Sequence, residues 1–290
     1  MIASGGDADG WRRVINFHDY GHLLPVVRNS LIAGAVVALV GGLIGPFVVS
    51  RDLPFAVHGI SELSFAGASG ALLIGSNVVA GAIVGSLVAA LLLGLLGDRA
   101  QQRNSVIGVV MPFGLGLGVL FLGLYRGRAA NKFGLLTGQI VAVDTPRMRW
   151  LIAVCAVVIV ALALMWRPLA FSGIDPDVAA ARGVPTRVLS VLFLLTLGLA
   201  VATAVQIVGA LLVLALLVTP AAAAMQVTAA PAVVTMLSVI FAVLATVGGI
   251  LLATGSTLPI SPYVTTISFT IFLACRALGA QRARRGWVSR

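Results

Sequence analysis

His58 and Glu62 are the two side chains of this sequence whose types and spacing could do chemistry inside a membrane. They lie in the segment AVHGISELSFAGASGALLIG, and Glu62 is the only glutamate of the chain. A spacing of four residues places an imidazole and a carboxylate on one face of a helix, one turn apart. Because an acidic group in hydrocarbon costs roughly 2.5 to 3.5 kcal/mol on insertion scales, such a pair indicates a functional site.

The elements that must position this pair are membrane helices. The sequence is 60% hydrophobic and 10% charged, with a mean hydropathy of +1.10, and long apolar runs recur along its whole length. These properties predict an all-α, polytopic membrane helix bundle and exclude an ordinary soluble protein. About nine transmembrane helices are predicted, at residues 31–49, 56–75, 78–97, 105–124, 150–167, 188–205, 207–226, 231–253 and 262–280.

The net charge of +10 does not indicate nucleic-acid binding. The arginines fall in loops between spans and at the C-terminus, where anionic headgroups and the positive-inside rule account for them. Residues 1–28 carry no signal-peptide pattern and are expected to form a tail or surface segment. Residues 29–280 are expected to form the transmembrane domain, and residues 281–290 a basic C-terminal tail.

The stretch RPLAFSGIDPDVAAARGVPTR predicts a short capped helix between two spans, at about residues 172–184. Asp175, Pro176 and Asp177 supply the chemistry of a helix start, and Gly183 supplies a stop. A loop that only connects two spans needs no capped helix. The stretch is therefore interpreted as a docking element on the cytoplasmic side, with a plain connection as the alternative.

Four segments resemble, in chain order, the permeases of ABC importers for divalent metals of the zinc, manganese and iron type. They are GGLIGPFVVSRDLPFAVHGISELSFAGASGALLIG, LLTGQIVAVDTPRMRW, GIDPDVAAARGVPTR and VGALLVLALLVTPAAAA, matching the first two spans, the outer loop, the coupling helix and a late span of that family. The resemblance covers about residues 31 to 280. It implies a type II ABC importer permease-like fold in a multi-pass protein of the plasma (inner) membrane.

The resemblance also implies a metal-coordinating pair, with the ligand types exchanged. His58 stands where the family usually has aspartate, and Glu62 stands where it usually has histidine. Two chains about a two-fold axis would bring together two imidazoles and two carboxylates, a ligand set suited to Zn²⁺ or Mn²⁺. Ser61 and Ser64 flank the pair and could orient it through hydrogen bonds.

The partners follow from the same resemblance. The chain lacks a GxxxxGK[ST] phosphate loop, so it is not expected to be an enzyme, and ATP hydrolysis is expected in separate ATPase subunits. Those subunits would couple through Asp175, Asp177, Arg182 and Gly183. A second permease copy and an extracytoplasmic metal-binding protein complete the implied importer, in which this chain holds no cofactor and binds the transported ion transiently.

Two other functions are compatible with the residues alone. In a proton-coupled secondary transporter or channel, Glu62 would be a proton relay and no ATPase would be needed, although no inverted repeat supports this function. In a purely structural role, His58 and Glu62 would bond each other near the end of a helix. An intramembrane enzyme is disfavoured because no set of nucleophile, base and orienting group accompanies the pair.

Overall fold

The computed structural model describes residues 20–97, 100–127, 134–135, 145–254 and 259–284. All regular structure within these ranges is helical, which confirms the all-α prediction. The α-helices are α1 (Tyr20–Ser50), α2 (Pro54–Leu73), α3 (Val78–Leu96), α4 (Ala100–Leu124), α5 (Thr145–Ile174), α6 (Pro176–Ala181), α7 (Thr186–Val208), α8 (Val213–Leu217), α9 (Thr219–Val227), α10 (Pro231–Thr254) and α11 (Ile260–Arg284). A short 3₁₀ helix, Ala210–Leu212, precedes α8.

Within the described ranges, seven helices are long and apolar enough to cross a membrane, where the sequence predicts about nine. They are α1, α3, α4, α5, α7, α10 and α11. Helix α2 has the necessary length, but His58, Glu62 and its serines lower its hydropathy. The other predicted span outside this set, 207–226, is not a single helix.

The chain is broken where one continuous span was predicted at 207–226. Helix α7 ends at Val208, and Gly209 adopts φ 86° and ψ 160°, a conformation that is essentially restricted to glycine. Two short helices follow, and Pro220 lies in the first turn of α9. Proline cannot donate a backbone hydrogen bond and clashes with the preceding turn, so it starts a new helix instead of continuing the old one.

Several predicted boundaries also move. Helix α1 begins at Tyr20, inside the segment that was predicted to be a tail, and residues 1–19 lie outside the described residues. The same is true of residues 285–290 of the basic C-terminal tail, and of residues 128–133 and 136–144 in the predicted outer loop. Residues 172–174, which were assigned to the coupling helix, form the last turn of α5.

Helix α2 packs between α3 and α4, and glycines make this close packing possible. A Cβ atom on Gly81 of α3 would collide with the carbonyl oxygen of Gly67, and one on Gly85 would collide with the carbonyl oxygen of Leu63. On α4, a Cβ atom on Gly114 would lie 2.9 Å from the backbone nitrogen of Leu63. Small residues of this kind let helix backbones touch in a membrane. The backbone of α2 is thereby held on two sides.

Candidate functional site

His58 and Glu62 lie on one face of α2, as their spacing predicts. Nε2 of His58 is 3.7 Å from Oε1 of Glu62, which is longer than a hydrogen bond. The His58 side chain is 27% exposed and the Glu62 side chain is 2% exposed. The pair therefore has an accessible imidazole and a deeply buried carboxylate.

One oxygen of the buried carboxylate has no hydrogen-bond partner. Oε2 of Glu62 is inaccessible to solvent and makes no hydrogen bond to any described residue. A buried polar atom without a partner carries a desolvation penalty of about 1–3 kcal/mol, and more if the group is charged. An acceptor oxygen in this position is available to a proton or to a cation.

The packing of α2 against α4 fixes the backbone beneath this carboxylate. A Cβ atom on Gly114 would also contact the carbonyl carbon of Glu62, at 3.0 Å. Ser64, on the next part of α2, donates a hydrogen bond of 3.0 Å from its hydroxyl to the carbonyl oxygen of Ala82 in α3. The Glu62 side chain thus projects from a backbone segment that neighbouring helices hold in place.

Ser61 and Ser64 were predicted to orient the pair, but their hydroxyls are engaged elsewhere. Ser61 donates a 2.8 Å hydrogen bond to the backbone carbonyl of His58, and Ser64 donates to α3. Both residues are fully buried. They brace the backbone of α2 in this structure, and an effect on the imidazole or the carboxylate stays a prediction.

The described part of the chain holds no cluster of three possible metal-ligating side chains. Among the residues that the structure describes, no three histidine, cysteine, aspartate or glutamate side chains come together. Tetrahedral zinc sites use three or four protein ligands, and Mn²⁺ prefers oxygen-rich sites of higher coordination. His58 and Glu62 are therefore two possible ligands without a third such side chain beside them among the described residues, and a metal-binding role for the pair stays a prediction.

The broken segment after α7 packs against α2, a contact that was not predicted from the sequence. The 3₁₀ helix Ala210–Leu212 and helix α8 both contact α2. The Ser261 hydroxyl, at the start of α11, donates a 2.7 Å hydrogen bond to the carbonyl oxygen of Val208, which the break leaves without its helical donor. The sequence signal for this break was the presence of both Gly209 and Pro220 within one apolar run.

The predicted coupling residues lie around the short helix α6. The Asp175 carboxylate accepts hydrogen bonds from the backbone N–H groups of Asp177 (3.1 Å) and Val178 (3.0 Å), as a helix N-cap does. Gly183 ends the turn with φ 84°. Asp175, Asp177, Arg182 and Gly183 are all exposed, while Ala179 is fully buried against the bundle. The local helix prediction is confirmed, with the shorter bounds Pro176–Ala181.

The chain is similar to known membrane transport proteins over most of its length. It is 29% identical over 225 residues to the manganese transport system membrane protein MntC of Halalkalibacterium halodurans, covering 77% of each chain. It is 31% identical over 199 residues to the manganese import system permease protein ScaB of Streptococcus parasanguinis, covering 68% of this chain and 71% of the relative.

A solved structure and a family profile agree with these relatives. The fold matches PsaBC from Streptococcus pneumoniae, solved in complex with a Fab, with a TM-score of 0.79 and 26% identity, covering 89% of this chain and 94% of the other. The sequence profile described as the ABC 3 transport family matches residues 24–279. This match extends over nearly the whole chain, through α2 with its His58 and Glu62 pair and through α6. The protein is therefore a multi-pass membrane protein that belongs to the ABC 3 transport family.

Proposed function

We propose that this chain is the permease subunit of an ATP-driven importer for a divalent metal ion, with His58 and Glu62 binding the ion during its passage. The observation that carries the proposal is the unpartnered Oε2 of Glu62, buried beside His58 in a chain of the ABC 3 transport family. A buried ionisable pair in a membrane helix costs free energy, and its presence therefore indicates a functional role such as transport.

Manganese is the favoured cargo, and zinc is the alternative. The curated relatives MntC and ScaB are named for manganese transport. A carboxylate oxygen suits Mn²⁺, whereas imidazole suits Zn²⁺ as well. The pair contains one ligand of each kind, so it is compatible with both metals.

The incomplete ligand set supports a permease that works as two copies. Two chains related by a two-fold axis would place two imidazoles and two carboxylates around one path. In such a dimer, α2 and the segment 209–227 would also cross the membrane and bring the number of spans to nine. Binding must stay moderate, because an ion held too tightly would not be released.

Energy must reach this pathway from other subunits. The exposed residues of α6 offer a docking surface for ATPase subunits, and the opposite membrane face would receive an extracytoplasmic metal-binding protein. Closure of the ATPase would then alternate the access to the pair. In this scheme the chain supplies the path and the coupling surface, and the ATPase subunits carry out hydrolysis.

A proton-coupled transporter is the second candidate, because the buried carboxylate oxygen could hold a proton as well as a cation. The two functions differ in their energy source. Uptake by a relay transporter would follow an imposed pH gradient without ATP. Uptake by an ABC importer would require ATP and would continue when the pH gradient is collapsed.

The test is Mn²⁺ uptake into proteoliposomes that contain the permease with its ATPase subunits and binding protein. Glu62→Gln keeps the shape of the side chain and removes its charge. It should lower ATP-driven uptake at least about tenfold, since even a supporting residue of a metal site contributes that much. His58→Ala should have a similar effect.

Asp52→Asn is the matched control. Asp52 is an exposed carboxylate near the start of α2, and its φ of 54° is one that asparagine tolerates. This variant should transport Mn²⁺ like the wild type. Normal uptake by Glu62→Gln would remove the pair from the pathway, and uptake that depends on a pH gradient instead of ATP would favour the proton relay.

A further inference from the structure

Arg51, immediately after α1, is bound to the end of α5. Its Nη2 atom donates a 2.6 Å hydrogen bond to Oγ of Ser172 and a 3.0 Å hydrogen bond to the carbonyl oxygen of Leu169. Leu169 is fully buried and Ser172 is 8% exposed. Hydrogen bonds from a charged donor are stronger than neutral ones, and shielding from water strengthens them further.

An aromatic ring also contacts the same guanidinium. The ring of Phe193, on α7, lies 5.6 Å from Cζ of Arg51, within the range of a cation–π contact. The ring of Phe47, on α1, packs edge-on against Trp166 of α5 at 4.8 Å and against Phe193 at 6.3 Å. The Arg51 side chain is therefore held by α5 and α7 together, at the end of the bundle where α6 begins.

The contact between Arg51 and Ser172 joins two parts of the chain that lie just before α2 and just before α6. Ser172 is three residues before Asp175, the N-cap of α6, and Arg51 is three residues before Pro54, where α2 begins. The connection between Arg51 and α2 is a tight turn, because the N–H of Leu53 bonds to the carbonyl oxygen of Val48 at 2.9 Å and Asp52 has φ 54°. His58 follows in the second turn of α2.

We propose that Arg51 transmits movement of the α5–α6 corner to α2 and so to His58 and Glu62. The inference rests on the proposed function, in which α6 is the docking helix and the pair holds the ion. Arg51 does not touch the ion and acts as a positioning residue. Its Nη2 atom, which donates to both Ser172 and the carbonyl oxygen of Leu169, links the short connection Arg51–Leu53 before α2 to the end of α5 before α6.

The experiment measures Mn²⁺ ions transported per ATP hydrolysed, in proteoliposomes with the complete importer. Arg51→Gln and Ser172→Ala should each lower this ratio at least about fivefold, the scale of a modest coupling between sites. Mn²⁺ binding to the detergent-solubilised permease and its assembly with the ATPase should stay unchanged. The double variant should be no worse than Arg51→Gln, because both changes break one link. Arg51→Lys should be intermediate, since lysine keeps the charge but lacks the planar guanidinium that lies over Phe193.

Arg282→Gln is the matched control, because Arg282 also donates to a backbone carbonyl, that of Val227 at 3.2 Å, but joins α11 to α9. It should keep the wild-type ratio.

An unchanged ratio in Arg51→Gln overturns the inference. If Arg51→Gln fails to assemble, the milder Ser172→Ala decides, and a normal ratio there overturns it. A wild-type complex that transports neither Mn²⁺ nor Zn²⁺ with ATP rejects the proposed function and this inference with it. ATP-driven uptake in the wild type with normal ratios in the variants rejects the inference alone.

Discussion

Nε2 of His58 lies 3.7 Å from Oε1 of Glu62, with the imidazole 27% exposed and the carboxylate 2% exposed. In the proposed pathway, an ion would therefore reach the imidazole first and the carboxylate behind it. An ion arriving from the accessible side would exchange one water ligand for imidazole nitrogen before it meets the carboxylate. Replacing the water ligands one at a time avoids the larger free-energy cost of removing them all together.

Exchanging the two ligand types should preserve transport. His58→Asp combined with Glu62→His restores the order that the resemblance implies for the family, and both positions share one helix face. The double variant should take up Mn²⁺ within about tenfold of the wild type, because the pair still offers one imidazole and one carboxylate. Glu62→His alone leaves two imidazoles and should shift preference toward Zn²⁺. Competitive uptake of Mn²⁺ and Zn²⁺ measures both effects, and an unaltered preference in Glu62→His would argue that position 62 does not contact the ion.

The cap of α6 should determine how well the ATPase docks. Asp175→Ala removes the acceptor of two backbone N–H groups and should cost about 1 kcal/mol of local helix stability. That loss should weaken binding of the ATPase subunits about fivefold. Asp175→Asn keeps a capping side chain and should bind them nearly normally. Titration of the reconstituted permease with the ATPase subunits tests the difference, and equal affinity of the two variants would contradict a role for the cap.

The glycines between α2 and α3 should be sensitive to a single methyl group. In Gly85→Ala, the new Cβ would collide with the carbonyl oxygen of Leu63, at a cost of about 1–3 kcal/mol. Gly116→Ala is the control, because no described atom lies within 4 Å of its Cβ position. Thermal unfolding of the detergent-solubilised protein should give a lower Tm for Gly85→Ala only. Matching Tm values would mean that the helices part more easily than their packing indicates.

The break after α7 should likewise require glycine. Gly209→Ala forces an alanine to φ 86° and ψ 160°, which costs on the order of 1–3 kcal/mol. Ser261→Ala removes the hydroxyl donor to Val208, at about 1 kcal/mol. Both should lower Tm, and both should speed hydrogen exchange of the amides in 209–217. Gly123→Ala, at an open position on α4, should change neither. Unaltered exchange in both test variants would show that the break has another support.

Local features of the site could be predicted from the sequence, whereas the contacts between distant segments could not. The four-residue spacing of His58 and Glu62 determines a shared helix face, and Asp175 with Gly183 determines a short capped helix, because both depend on near neighbours in the chain. The bond from Arg51 to Ser172 joins residues 121 apart. The periodicity of apolar residues does not predict such a pairing, and it does not predict which glycines meet across α2 and α3.

The prediction of one continuous helix at 207–226 was wrong for a related reason. Because its apolar composition satisfies the length and hydropathy criteria for one helix, the sequence predicted a single span there, although Gly209 and Pro220 indicate a break. Helix α2 shows the opposite case. Its polar residues lower its hydropathy, yet it is enclosed by α3 and α4. Hydropathy describes how favourably a segment interacts with lipid. Helix α2 and the segment 207–226 also contact other helices, so hydropathy alone does not describe their surroundings.

The glycine contacts of α2 have a mechanical consequence. Where backbones touch directly, as between Gly67 and Gly81, no flexible side chain can absorb a displacement. Helices α2, α3 and α4 should then move as one rigid block, and the imidazole and carboxylate should keep their mutual spacing throughout a transport cycle. In the proposed pathway, the adjustable wall would be the segment after Val208, which also contacts α2 and is already divided into short helices.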